Sequence, residues 1–231
     1  MIRPVDTCYM CDAPATSVEH VPPKCLFPKP KDLPTGADLR RQLITVPACT
    51  AHNNDKAADD EYLLFVLVIN LPANTIAQNH FAKAIMRAIE RRPNLATAMM
   101  RSPTPVIAVD TATGQSQATV AVDIDRDRFD RALDHLGRAL YFHDVGKRWL
   151  GDIQVHPEFM LATLDPAKAA QINAPLEHMT KLLNFAFANA PRVGANPEVF
   201  QYQVIQGNGL APVLMRLHFY EDVKVALFFR T

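Results

Sequence analysis

At 231 residues, 48% hydrophobic and 21% charged, the chain is long enough for one large or two small domains and has the balance of a globular protein. Its 24 Lys and Arg are matched by 24 Asp and Glu, which excludes a protein that holds nucleic acid through net charge alone. The first sixty residues carry seven basic and eight acidic side chains and the rest carry 17 and 16, so any such affinity must come from local arrangement or bound metal. Four cysteines are too few for a disulfide scaffold, and their paired spacing fits metal-bound thiolates in a reducing compartment. No secretory leader pattern opens the chain. The longest apolar run, Leu63 to Ile69, is far too short to span a bilayer. A soluble, cytoplasmic protein with no membrane partner is expected.

Residues 1–7 read as a lead-in, and Cys8 to Cys11 as a tight turn. Thr16 to Val21 alternates as a first strand, with Glu19 and His20 on opposite sides. Pro22 and Pro23 end regular pairing. Residues 24–41 form a loop carrying Lys24, Lys29, Lys31, Arg40 and Arg41, either phosphate-contacting or merely solvated. Leu43 to Val46 reads as a second strand, and the chain turns helical at Asn53. Leu63 to Leu71 is apolar on all sides, so helix and core strand both remain open. Thr75 to Arg92 has helical period. Val106 to Val109 and Thr119 to Ile124 read as a hairpin around Thr113-Gly114. Phe129, Leu133, Leu136 and Leu140 mark an amphipathic helix ending near Gly146. Asp152 to Leu164 offers one or two strands. A further helix begins at Pro166, with Asp165 as its cap and Leu176, Met179, Leu183 and Phe187 as its stripe. Val199 to Phe229 alternates, broken by Gly207-Asn208-Gly209, as two or three antiparallel strands.

The chemistry concentrates near the start. Cys8-x2-Cys11 and Cys49-x2-His52 are two close ligand pairs, which suit one tetrahedral zinc. Cys25 reads as a packed or exposed thiol, and histidines 80, 135, 143, 156, 178 and 218 form no ligand pair. Glu19-His20-Val21-Pro22-Pro23 lies between the pairs. Asn53, Asn54 and Lys56 follow the second pair directly.

These stretches, Glu19-His20-Val21-x-Pro23 and Cys49-x2-His52-Asn53-x2-Lys56, resemble the HNH endonuclease superfamily, also called His-Me finger or ββα-metal nucleases. The resemblance covers residues 5 to 62, and the remainder matches nothing recognisable. It implies a zinc-stapled ββα-metal finger over 1–61, with Cys8, Cys11, Cys49 and His52 on structural zinc. It makes His20 the general base that takes a proton from water. Glu19 and Asn53 would hold a catalytic magnesium or manganese ion, and Lys56 would contact phosphate. Asn54 competes with Asn53, but the two-residue gap to Lys56 favours Asn53. Asp59, Asp60 and Glu61 read as helix surface or caps, with Asp60 within outer reach of the metal.

The expected class is therefore α+β: the finger, then an α+β recognition, regulatory or dimerisation domain over 62–231 with antiparallel strands and no catalytic group. A homodimer through the last strands is one arrangement open to it. The expected activity is metal-dependent hydrolysis of phosphodiester bonds, with DNA the favoured partner. A second reading is a degenerate zinc module that binds nucleic acid or protein without cleaving. The middle Asn of the superfamily pattern is missing, since Leu43-Ile44-Thr45 stands there, and the linker between His20 and Cys49 is long.

Overall fold

The computed structural model describes residues 7–54, 56–109, 114–159, 166–206 and 213–231. Strands β1 (Ser17–Val21) and β2 (Ile44–Ala48) form an antiparallel hairpin, with Ser17 opposite Ala48 and Val21 opposite Ile44. The long connection carries two short 3-10 turns, Lys24–Leu26 and Pro30–Asp32, and no longer element forms among its prolines. Helix α1 (Thr50–Asn54) begins at the second ligand pair, three residues before the expected start, because Cys49 and His52 themselves occupy a helical turn.

Helix α2 (Ala57–Val68) follows, and every residue from Tyr62 to Val68 is buried. That settles the ambiguous apolar stretch as a core helix rather than a strand. Next come α3 (Thr75–His80), a π turn (Phe81–Ile85) and α4 (Met86–Arg91), which run end to end as one rod. The Asn74 side chain caps it by accepting from the Ile76 and Ala77 amides, both at 3.1 Å. His80 and Ile85 are both buried although five residues apart, a spacing that the wider π turn accommodates. A short α5 (Asn94–Met99), not anticipated, leads to the hairpin of β3 (Arg101–Val109) and β4 (Ser116–Asp123).

Helix α6 (Arg126–Val145) is capped by Asp125 and ends on Gly146, whose φ of 72° suits glycine. Then come β5 (Asp152–Pro157), α7 (Pro166–Ala186), β6 (Val193–Asn196), β7 (Phe200–Ile205), β8 (Leu214–Phe219) and β9 (Val223–Arg230). The five strands form one sheet in the order β5-β9-β8-β7-β6, every neighbour antiparallel. The class is α+β with antiparallel sheets. Asp165, Thr113 and the Gly207-Asn208-Gly209 break lie outside the described residues, so the expected cap and turns there have no structural counterpart to compare.

Helix α6 is the middle layer. Its buried Phe129, Ala132, Leu133, Leu136 and Leu140 join the core, and Gly137 lets it lie close on the sheet. A Cβ at Gly137 would stand 2.8 Å from a Leu227 methyl and 3.2 Å from one of Ile153. On its other side α6 clamps α2. Asp59 accepts from Arg128 Nε at 2.9 Å and Arg131 Nε at 3.1 Å, and the Arg128 guanidinium lies 4.5 Å over the Tyr62 ring. One buried cluster runs from Cys8 and Tyr9 through Tyr62–Val68 to Leu227 and Phe229. The boundary expected after residue 61 falls inside α2, and the side chains on either side of it share this core. Distant ties reinforce the union: the Tyr220 hydroxyl donates to Leu26 O at 2.7 Å, and Asn196 Nδ2 to Arg41 O at 3.0 Å.

Replacing Gly137 by Val should overpack the α6–sheet contact and cost about 1–3 kcal/mol. A lowered urea midpoint with an unchanged slope would register it, and an unchanged midpoint would mean the helix lies farther from the sheet.

Candidate metal centre and hairpin site

Two local structures bring the ligand pairs together. Cys8 N donates to Ala13 O at 2.9 Å and closes the first turn, while Tyr9 N reaches Pro47 O at 2.9 Å and pins that turn beside β2. Cys49 and His52 lie three apart at the start of α1, on one face of the helix. Their ligand atoms and those of Cys8 and Cys11 all fall within 4.8 Å of one another.

The separations are compatible with zinc. Zinc with bonds of about 2.3 Å to sulfur and about 2.0–2.1 Å to nitrogen requires sulfurs about 3.8 Å apart and sulfur–nitrogen gaps of about 3.5 Å. Cys11 and Cys49 sulfurs are 3.9 Å apart. His52 Nδ1 lies 3.6 Å from Cys8 Sγ, 3.5 Å from Cys11 Sγ and 3.2 Å from Cys49 Sγ. Three soft thiols and an imidazole form the donor set that zinc prefers. The backbone N–H and then the ring of His52 lower the Cys49 thiol to about 7. At Cys11 the Ala13 backbone contact acts downward, but burial and the neighbouring sulfurs outweigh it and the thiol is raised. Sulfurs so crowded need a shared cation to be thiolates together. His135 of α6 stands edge-on to His52, with ring centroids 6.2 Å apart. Among the described residues it makes no hydrogen bond to His20.

The hairpin residues divide by face. Strand alternation sends Glu19 inward with Val21, and leaves His20 half-buried beside exposed Val18. Glu19 is buried and its carboxylate lies 2.9 Å from Lys56 Nζ. The same ammonium donates to both oxygens of Asp60, at 2.9 and 2.7 Å. Burial pushes Glu19 and Asp60 above the usual carboxylate range against the pull of Lys56. Burial alone would lower Lys56, but Asp60 and Glu19 more than reverse it. The Tyr9 hydroxyl is buried beside them without a hydrogen-bond partner among the described residues.

Lys56, expected on phosphate, is thus enclosed between two carboxylates. Asp60, read as helix surface or cap with outer reach toward a metal, is its partner. Glu19, expected on a catalytic ion, is turned to the covered face while His20 takes the other. Asn53 donates through Nδ2 to Ser17 Oγ at 2.8 Å and Val18 O at 3.4 Å, which docks α1 on β1 and leaves its carbonyl oxygen as the atom able to take a ligand. Desolvation, with Lys24 and Arg40 nearby, lowers the His20 imidazole below its ordinary value, so it is neutral at pH 7. Among the described residues the Cys8, Cys11, Cys49 and His52 group is the one cluster able to hold a metal by its own His, Cys and carboxylate ligands. No helix among the described residues is long and apolar enough to cross a membrane.

No protein-family model matches this chain, and neither a curated protein nor a solved structure matches it.

Elemental analysis of native protein should find zinc in equimolar ratio to the chain. Cys49→Ala should lose the metal and several kcal/mol of stability, because metal binding and local folding are one equilibrium. A metal-free native protein with a fully stable Cys49→Ala variant would exclude the centre. Lys56→Ala should cost about 3–5 kcal/mol by leaving two buried carboxylates unpaired. Chemical denaturation checks this, since a lysine serving only to bind phosphate would leave stability unchanged.

Proposed function

We propose that the chain is a metal-dependent endonuclease of HNH type that hydrolyses phosphodiester bonds, with DNA as its first candidate substrate. The observation that carries the reading is the conjunction at the hairpin. A zinc-fitting cluster staples β1 and β2 to the start of α1, and a neutral histidine stands half-exposed on β1 beside an asparagine docked on the same strand.

His20 is the base. Neither ring nitrogen has a hydrogen-bond partner among the described residues, so it can receive a proton from water. Asn53 keeps its carbonyl oxygen for a hard cation and, being neutral, leaves the cation's charge for the phosphate. A magnesium- or manganese-type ion held by Asn53 and the substrate phosphate would supply charge neutralisation and stabilise the leaving oxygen. Glu19 and Lys56 then serve as positioning residues that fix β1 against α2. The zinc at Cys8, Cys11, Cys49 and His52 holds the finger together and takes no part in the chemistry.

One observation favours the second reading, a zinc module that binds without cleaving. The buried Glu19–Lys56 contact engages two side chains that the superfamily pattern assigns to metal and phosphate. Plasmid nicking separates the two. Wild-type protein with magnesium or manganese should nick supercoiled plasmid, and folded, zinc-loaded His20→Ala should lose about 10²–10⁴ in rate. Equal nicking by both proteins, or none by either, leaves the non-cleaving module.

A further inference from the structure

A cleft of about 620 Å³ opens between the 24–41 loop and the α3–α4 rod, floored by the first turns of α2. Six cations line it: Lys29, Lys31 and Arg40 from the loop side, and Arg87, Arg91 and Arg92 from the rod. The carboxylates there, Asp32 and Glu61, are each paired already, with Arg87 at 2.7 Å and Arg92 at 2.6 Å. Lys29, Lys31 and Arg91 are exposed and make no ion pair among the described residues. In a chain of zero net charge this is a strong local excess of positive charge.

The walls are fixed relative to each other. Both terminal guanidinium nitrogens of Arg87 donate to the Asp32 carboxylate, at 2.9 and 2.7 Å, and Lys83 Nζ donates to Asp32 O at 2.8 Å. The cleft is also connected to the hairpin. Arg40 lines it while donating to Phe27 O from Nε at 3.0 Å and from Nη2 at 2.6 Å, and Nη2 also reaches Lys24 O at 3.3 Å in the segment that leaves β1. Cations distributed over two facing walls suit a linear polyanion better than a compact anion, which needs donors converging on one point. Among the described residues no Phe, Tyr or Trp lines the cleft, so no aromatic ring of those types offers a stacking platform for splayed bases there.

We propose that this cleft binds the phosphate backbone of duplex nucleic acid and leads it to the open face of the hairpin at His20. The second half of that statement rests on the nuclease reading, whereas the binding itself does not. The partner is recognised by its regular line of phosphates and not by base sequence.

The test is binding of a short fluorescently labelled DNA duplex by anisotropy, without added magnesium or manganese, over a range of salt. The full chain is compared with a triple variant, Lys29→Glu, Lys31→Glu and Arg91→Glu, chosen because these exposed side chains make no hydrogen bond or ion pair among the described residues. A charge-matched control carries Lys168→Glu, Lys181→Glu and Arg192→Glu, on and after α7. The cleft variant should bind at least tenfold more weakly. Its log K against log salt slope should be shallower by about 0.9 for each phosphate contact removed, while the control stays near wild type. Equal binding by the cleft variant and wild type, or equal losses in both triple variants, overturns the proposal. Cleft-dependent binding with no plasmid nicking leaves the cleft standing and sinks the nuclease reading. Nicking by wild type with cleft-independent binding does the reverse.

Discussion

Cys11 and Cys49 stand 38 residues apart in sequence and 3.9 Å apart in space, and the geometry of the hairpin follows from that closure. A two-stranded ribbon is at best marginally stable by itself. Here one end is tied by the ligand cluster and the covered face is filled by α2 and α6. The same closure seats α1 on β1, because His52 and Asn53 are adjacent and both must be satisfied within one turn. Position along the chain is thereby converted into position at a surface.

The covered face of the hairpin has its own logic. Two carboxylates share one ammonium there, with a phenol beside them, in a largely buried region. Such a cluster contributes little net stability against an apolar equivalent, but it strongly penalises any shift that separates its members. It fixes the rotation of α2 about its own axis relative to β1. Charge is thus used for alignment on the inner face, while the outer face keeps His20 unengaged.

Much of this was legible in the residues. The ligand pairs at two-residue spacing, the alternation through Glu19 and His20, and the stripe of Phe129, Leu133, Leu136 and Leu140 each specify their element through local periodicity. What was not legible depends on distant partners. Lys56 reads as a phosphate-contacting cation until Glu19 arrives from a strand 37 positions earlier in the chain and Asp60 from the next helical turn. The boundary after residue 61 looked natural because the chemistry stops there, yet the apolar run that follows continues the same helix into a shared core. The cations of the cleft were visible only by halves. Lys29 and Lys31 stood out as a basic loop, while Arg87 and Arg91 lay inside a stretch read only for its helical period, and nothing in either segment predicts that they face each other.

The π turn at Phe81–Ile85 gives the rod two faces that a regular helix of the same sequence could not combine. Wound throughout as α-helix, those five residues would turn everything beyond Met86 by roughly a quarter revolution relative to Ala77 and His80. Arg87 would then swing away from Asp32, and Ile85 would no longer share the buried ridge. The wide turn acts as a phase adjuster, holding an apolar ridge toward the core and a cationic ridge toward the loop on one continuous element. It also makes this stretch the part of the rod where losing a single residue can be absorbed, since a plain helical turn would restore the same alignment.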